Sequence, residues 1–168
     1  EQVLDGGIGK IVCGEARYPW AGGVMAAPKT PEDRLKLWYC EKALSGDYIV
    51  EQNIHTLDVA TWLLNADPVK AVGAAASKGL RTYGNIKDCY SVTFWFPDNV
   101  LLNFMSVQCI PGTPNSIHCR IYGKDGVIDT DTLDRFARKE LGWGVTGVYP
   151  LYTPGHDREA LLRRMKRI

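Results

Sequence analysis

Apolar and polar residues alternate with a period of two along several short stretches of this chain, and each stretch reads as a β-strand with one buried face. Residues 10–18, 69–77, 89–96, 100–109, 117–122 and 127–130 follow the pattern. Pro97-Asp98-Asn99 marks a hairpin turn between the third and fourth of them, and Lys124-Asp125-Gly126 a tight turn before the last. Between the first and second strands the period lengthens to that of a helix. Residues 31–44 open with Pro31, Glu32 and Asp33, which suit a first helical turn, and stop at Ser45-Gly46. Residues 47–64 carry the longest helical pattern, with Asp47 placed to cap it and Asn65-Ala66-Asp67-Pro68 to end it. Shorter helices are expected over 133–141 and 157–168. These connections predict a mostly antiparallel sheet with helices packed on one face: an α+β fold, in a single domain spanning 1–168.

The two faces of the sheet read differently. Tyr90, Val92, Phe94 and Phe96 point one way along their strand, toward the helices, and Cys89, Ser91, Thr93 and Trp95 point the other. With Leu101, Met105 and Val107, or His118, Arg120 and Tyr122, added from neighbouring strands, the outer face carries apolar and aromatic bulk beyond what a monomer normally leaves open.

The longest helical pattern also holds the candidate chemistry. Val50, Ile54, Leu57, Ala60 and Leu64 fall on one line and predict the face that packs on the core. Beside it run Glu51, His55 and Asp58 at i, i+4 and i+7. Three ionisable groups on one line of a mostly apolar helix cost free energy unless they pair or face a cleft. A carboxylate one turn from an imidazole can orient it and fix its tautomer, which a general acid/base needs near neutral pH. A simple surface Glu–His contact is the alternative on spacing alone. A metal centre is the lesser reading, because one histidine and two carboxylates on one helix rarely converge without further ligands, and no metal is expected.

Composition narrows the function classes. With 168 residues, 45% hydrophobic and 23% charged at a formal net charge of +1, the chain reads as one globular domain without a basic surface for nucleic acid. The basic stretch 163–167 alternates with apolar residues at helical spacing and reads as a solvated face. No apolar run is long enough to span a bilayer, so no membrane partner is expected. Five scattered cysteines, odd in number and without a Cys-x-x-Cys pair, argue against a disulfide framework or a zinc site and for a reducing, cytoplasmic setting. Gly6, Gly7 and Gly9 resemble a phosphate loop only superficially, since a strand rather than a helix follows.

The sequence GDYIVEQNIHTLDVATWLL, then RTYGNIKDCYSVTFWFPDNVLLNF, an IPG turn and IYGKDGVIDTD, resembles the C-terminal domain of the glucose-fructose oxidoreductase, inositol dehydrogenase and MocA (Gfo/Idh/MocA) family, over about 6–131. In that family a Rossmann domain binds NAD or NADP, and the α+β domain supplies the substrate pocket and often the oligomer interface. The family's Asp-x-x-x-His-x-x-Asp pattern matches Glu51, His55 and Asp58. The resemblance implies that His55 exchanges the substrate hydroxyl proton, that the longer carboxylate of Glu51 supports it, and that Asp58 contacts the substrate, a sugar or polyol, or stands behind a residue that does. Arg17 and Tyr18, at the end of the first strand, could reach the pocket, with Arg17 a further candidate for substrate binding, against an edge ion pair or packing role. The outer sheet face would pair with a second copy, giving a homo-oligomer. The family's dinucleotide fingerprint and its Glu-Lys-Pro motif have no counterpart here, so the chain resembles a substrate domain without its cofactor domain. The rival from another class is a non-catalytic carbohydrate-binding or oligomerisation module of the same fold.

With no glycine-rich strand-to-helix turn to offer amides to a pyrophosphate, this chain alone is expected not to bind NADH or NADPH. A fluorescence titration checks this, and micromolar binding of either nucleotide would contradict it.

Overall fold

The computed structural model describes residues 6–20, 27–110, 112 and 117–130. The helices expected over 133–141 and 157–168, and the basic stretch 163–167, lie outside the described residues. Six strands form one sheet: β1 (Ile11–Trp20), β2 (Lys70–Ala76), β3 (Cys89–Trp95), β4 (Leu101–Gln108), β5 (His118–Gly123) and β6 (Val127–Asp129). Their order is β2-β3-β4-β1-β5-β6. β1 runs parallel to β4, and every other neighbouring pair is antiparallel. The first strand thus enters the middle of the sheet, where Gly14 lets it approach its neighbours. A Cβ at that position would lie 2.7 Å from the Ile121 side chain and 2.8 Å from that of Leu102.

Helices α1 (Pro31–Lys36), α2 (Lys42–Ser45), α3 (Tyr48–Glu51) and α4 (Ile54–Leu64) connect β1 to β2, with a 3₁₀ turn over Trp38–Cys40. Thr30 caps α1 reciprocally: its hydroxyl accepts from the Asp33 amide (3.1 Å) and the Asp33 carboxylate accepts from the Thr30 amide (3.2 Å). The single helix expected over 31–44 is broken into three pieces. Tertiary bonds break it: Asn85 Oδ1 accepts from the Lys42 amide (2.6 Å), and the Asn85 amide donates to the Cys40 carbonyl (3.0 Å). Gly46, at φ +76°, then closes α2 in the left-handed conformation that glycine adopts without strain.

The helix expected over 47–64 is also divided. The amides of Gln52 and Asn53 both donate to the Tyr48 carbonyl at 3.1 Å, a widened turn between α3 and α4. The apolar line drawn from the sequence therefore fails at its start, where Val50 is 53% and Ile54 46% exposed. The buried face of α4 is instead Thr56, Ala60 and Leu63, with Leu57, Val59 and Leu64 partly covered, and it lies across β1 and β5. Ala16, Leu102, Phe104, Ile121 and Ile128 form the sheet's side of this core. Tyr90 and Phe96 are buried in the same core, with Val92 and Phe94 packed against it, as strand alternation predicts. At the edge, β2 is exposed on both faces along nearly its whole length. Among the described residues no helix is long and apolar enough to cross a membrane.

Asp47 ties these parts together. It sits at φ +81° as the cap of α3, a conformation that costs about 1–3 kcal/mol for a non-glycine residue. Its Oδ1 accepts from the amides of Tyr48 (2.9 Å) and Lys87 (2.8 Å) and from Tyr90 Oη (2.5 Å), while Lys42 Nζ stands 3.4 Å from Oδ2. Burial pushes this carboxyl up, but the bonds from Tyr90, Lys87, Tyr48 and Lys42 outweigh it and hold the group below its ordinary value of 3.8. Asp47→Asn is expected to cost about 2 kcal/mol, the loss of charge-assisted bonds to a buried acceptor, and so to lower Tm by roughly 5 °C for a chain of this size. A carboxyl with a lowered folded pKa stabilises fully above 3.8 and loses that contribution as the pH falls through its folded value. The gap in unfolding free energy between wild type and variant should therefore close at strongly acid pH, which denaturant titrations at several pH values measure.

Candidate functional site

The end of β1, α3 and the start of α4 converge on one group of side chains. Tyr18 alternates with Arg17 along β1 and points inward with Ala16, where it is 8% exposed. Its ring meets that of the fully buried Tyr48 edge to face, with centroids 6.2 Å apart. On another side it stacks with the imidazole of His55 at 6.4 Å and an interplanar angle of 25°. His55, in the first turn of α4, is otherwise exposed.

Glu51, the last residue of α3, is half-buried, and no hydrogen bond or ion pair joins it to His55. The widened turn at Gln52 and Asn53 lies between them, so they do not stand one above the other as on a continuous helix. Glu51 Oε1 accepts instead from Gln52 Nε2 (2.9 Å), and Gln52 Oε1 accepts from Tyr18 Oη (3.0 Å). Burial, and after it the charge of Glu51, push the Tyr18 phenol up from its ordinary value and keep it protonated as the donor. Asp58 lies one turn beyond His55, exposed, with its main-chain carbonyl accepting from Thr61 Oγ1 (2.9 Å).

Arg17 is not brought to this group. Strand alternation turns it to the opposite face of the sheet, 3.5 Å from Glu15, where the two line a shallow cavity of about 310 Å³ with Ser91, Thr93, Asn103 and Met105. Arg17 therefore stands apart from His55, and its ion-pair partner there is Glu15, as in the ion-pair alternative. Gln52 is the residue that spacing missed. Tyr18 was legible as a residue at the strand's end able to reach the pocket, but its meeting with α4 depends on tertiary packing. Gln52 carried no signal beyond its place next to Glu51.

Behind Tyr48, the Arg81 guanidinium lies 5.4 Å from the ring centroid, with Nη1 3.5 Å from Cys40 Sγ and Nη2 donating to Gln108 Oε1. All five cysteines are free thiols. Burial pushes those of Cys40 and Cys109 up, and that of Cys119 up to about 12, so none of the three is poised as a nucleophile.

The group at the β1 end combines an accessible imidazole backed by an aromatic ring with a carboxylate that is itself hydrogen-bonded, residue types used in general acid/base chemistry. The turn at Gly6 to Gly9 runs into β1, and α4 begins on the fully buried Asn53.

An α+β domain with one helix-covered face and a helix histidine packed against the end of its first strand is the class that fold and site define. The sequence profile of the GFO/IDH/MocA C-terminal domain matches residues 1–129, and the chain belongs to that family. No curated protein matches the chain in sequence. Among solved structures, aldose-aldose oxidoreductase from Caulobacter crescentus, complexed with glycerol, is similar at 20% identity and TM-score 0.59, over 76% of this chain and 35% of that one. Myo-inositol 2-dehydrogenase from Lactobacillus plantarum is similar at 20% identity and TM-score 0.55, over 76% and 36%. A super-repressor mutant of Gal80p from Saccharomyces cerevisiae shares 16% identity at TM-score 0.61, over 77% and 35%. The chain therefore spans about a third of the length of each of these proteins. At such identities the likeness shows the shared fold.

Proposed function

We propose that this domain forms the substrate pocket and carries the general acid/base of an NAD(P)-dependent oxidoreductase acting on a sugar, a polyol or a related hydroxyl or ketone. The observation that carries the reading is His55, an accessible imidazole held against Tyr18 at the mouth of α4, at the position where the family pattern has its histidine. His55 takes the proton from the reacting hydroxyl or returns it as the ketone is reduced; a nicotinamide held by a Rossmann domain outside this chain would supply the hydride chemistry. Glu51 supports that role electrostatically, and the exposed Asp58, one turn on, is within reach of a bound polyol. In the enzyme that carries this domain, His55→Ala should lower kcat by about 10² to 10⁴, the range for losing a general acid/base, with Tm nearly unchanged because the side chain is exposed. Reduction of NAD⁺ or NADP⁺ with myo-inositol and with D-glucose is the assay. A folded His55→Ala enzyme that keeps its turnover would refute the assignment.

The resemblance to Gal80p favours a second reading, a non-catalytic member of the same fold that binds a sugar or assembles without turnover. Isothermal titration showing carbohydrate binding by an intact parent with no oxidoreductase activity would favour it.

We also infer that the outer sheet face pairs with a second copy. Val72 (56% exposed), Met105 (45%) and Leu101 (37%) lie on it with the half-exposed Trp95, supporting an apolar contact. The face is less uniformly apolar than the sequence suggests, because a polar row runs across it. Thr93 Oγ1 donates to Asn103 Oδ1 (3.0 Å), Arg120 Nη1 to Glu15 (2.8 Å) and Arg120 Nε to Asp129 (2.7 Å). His118, expected among the exposed residues, is 4% exposed, with Nε2 3.7 Å from Glu15. Polar rows of this kind fix the register of a face-to-face pair more than they strengthen it. Trp95→Glu should yield monomers with unchanged circular dichroism, because Lys70, whose Nζ lies 4.8 Å from the Trp95 ring, is at hand to pair with the new carboxylate. Light scattering at tens of micromolar reads the outcome, and a wild-type monomer would remove the proposal.

A further inference from the structure

We propose that Tyr18 and Gln52 are positioning residues for His55, and that Glu51 acts on the histidine through them rather than by contact. The inference rests on the assignment of His55 as the general acid/base. Three observations carry it. A continuous chain of bonds runs from the Glu51 carboxylate to Gln52 Nε2 (2.9 Å) and from Gln52 Oε1 to Tyr18 Oη (3.0 Å). The ring at the end of that chain is the one that stacks with the imidazole. No bond joins Glu51 to His55 directly.

The chain has only one sensible polarity. A carboxylate accepts and cannot donate, so Gln52 must turn its amide nitrogen toward Glu51, which leaves its oxygen for the phenol. The phenol keeps its hydrogen and donates. Gln52 is thereby fixed at both ends, and the Tyr18 ring is fixed by its hydroxyl at one edge and by the Tyr48 ring, which is fully buried, against another. A rigid aromatic surface beside an otherwise exposed histidine restricts the imidazole's rotation about its side-chain bonds. The rotational freedom that a surface histidine would lose on reaching the transition state is then largely lost beforehand. A charge four residues earlier in sequence thus governs the histidine by a path through the neighbouring strand.

The test uses the 168-residue chain labelled with ¹³C and ¹⁵N in histidine, with the His55 ring signals assigned by their absence in His55→Ala. Tyr18→Leu, which removes the stacked ring, should move those signals. Tyr18→Phe and Gln52→Leu keep a ring in place but cut the chain, and should shift or broaden the same signals while those of His118 stay fixed and the melting temperature changes little. Tyr18→Phe, which preserves the packing, keeps the test open if Gln52→Leu fails to fold. His55 signals unmoved in folded Tyr18→Phe would overturn the inference. In the parent enzyme, Tyr18→Phe and Gln52→Leu should each lower kcat about 10-fold to 100-fold, as misplacement of a catalytic group does. Because both variants cut one path, the double variant should be no slower than the slower single one, whereas losses that multiply would count against a shared path. Impaired His55→Ala with unimpaired Tyr18→Phe and Gln52→Leu would remove this inference alone, and an active His55→Ala would remove the reading on which it rests.

Discussion

The Asp47 carboxylate is the constraint on which the site end of the domain depends. It is 5% exposed, and its backbone takes a conformation that only compensating contacts make tolerable. The donors it gathers come from three places: the Lys42 ammonium on α2, the Tyr48 amide that opens α3, and the Lys87 amide and Tyr90 hydroxyl at the entry to β3. One side chain therefore sets where the helical segment turns and how it is pinned to the sheet. Ser45 adds to the arrangement by accepting from the Asp47 amide (3.1 Å). Tyr48 follows at once, fully buried, with its ring supporting Tyr18 on one side and Arg81 stacked over it. The position of the candidate acid/base is thus inherited from a capping residue eight positions earlier in the sequence, through Tyr48 and Tyr18.

The strands were legible because alternation is a local property. β2 to β6 fall within a residue or two of the stretches that period two marked, and β1 extends only slightly beyond its own. The parallel placement of β1 beside β4 was not legible, since no local pattern encodes which strand a distant strand will join. The helices were partly legible. Thr30 and Asp33 cap α1 as the acidic first turn suggested. The interruption at 37–41 arises from bonds to Asn85, more than forty residues away. The line Val50, Ile54, Leu57, Ala60, Leu64 failed for a related reason: a helical wheel assumes one uninterrupted helix, and the turn at Gln52 and Asn53 resets the phase. Val50 and Ile54 consequently face outward, whereas Thr56, a polar residue that the wheel passed over, is buried.

The same phase error affects the site. The alignment of Glu51, His55 and Asp58 suggested direct contact of carboxylate and imidazole, and the sequence resemblance identified His55 as the residue of interest. Direct contact is absent, and the carboxylate reaches the imidazole's surroundings through Gln52 and Tyr18. Parity turns Arg17 away from His55. A residue that neighbours Tyr18 in sequence necessarily points to the other side of the strand, and there it joins the charged row of the open face. Adjacency along a strand is therefore evidence against sharing a site, whereas adjacency along a helix leaves the matter open.

The two faces of β1 consequently serve different chemistry within a few residues of each other. On the inner face Ala16 and Tyr18 lead from the packed core to the histidine. On the outer face Glu15 and Arg17 stand among Arg120, His118 and Asn103 in a charged row flanked by Met105 and Leu101. A central strand flanked on both sides by hydrogen-bonded neighbours has little freedom to shift in register, because a slip of one residue would exchange the two sets and bury the charges. Placing β1 between β4 and β5 therefore locks the surface behind His55 and the outer face to one rigid element. A partner surface assembled on the outer face would bear on the same strand that presents Tyr18 to His55. The helices contribute the histidine and its carboxylate, and the strand contributes the fixed surface against which they are arranged.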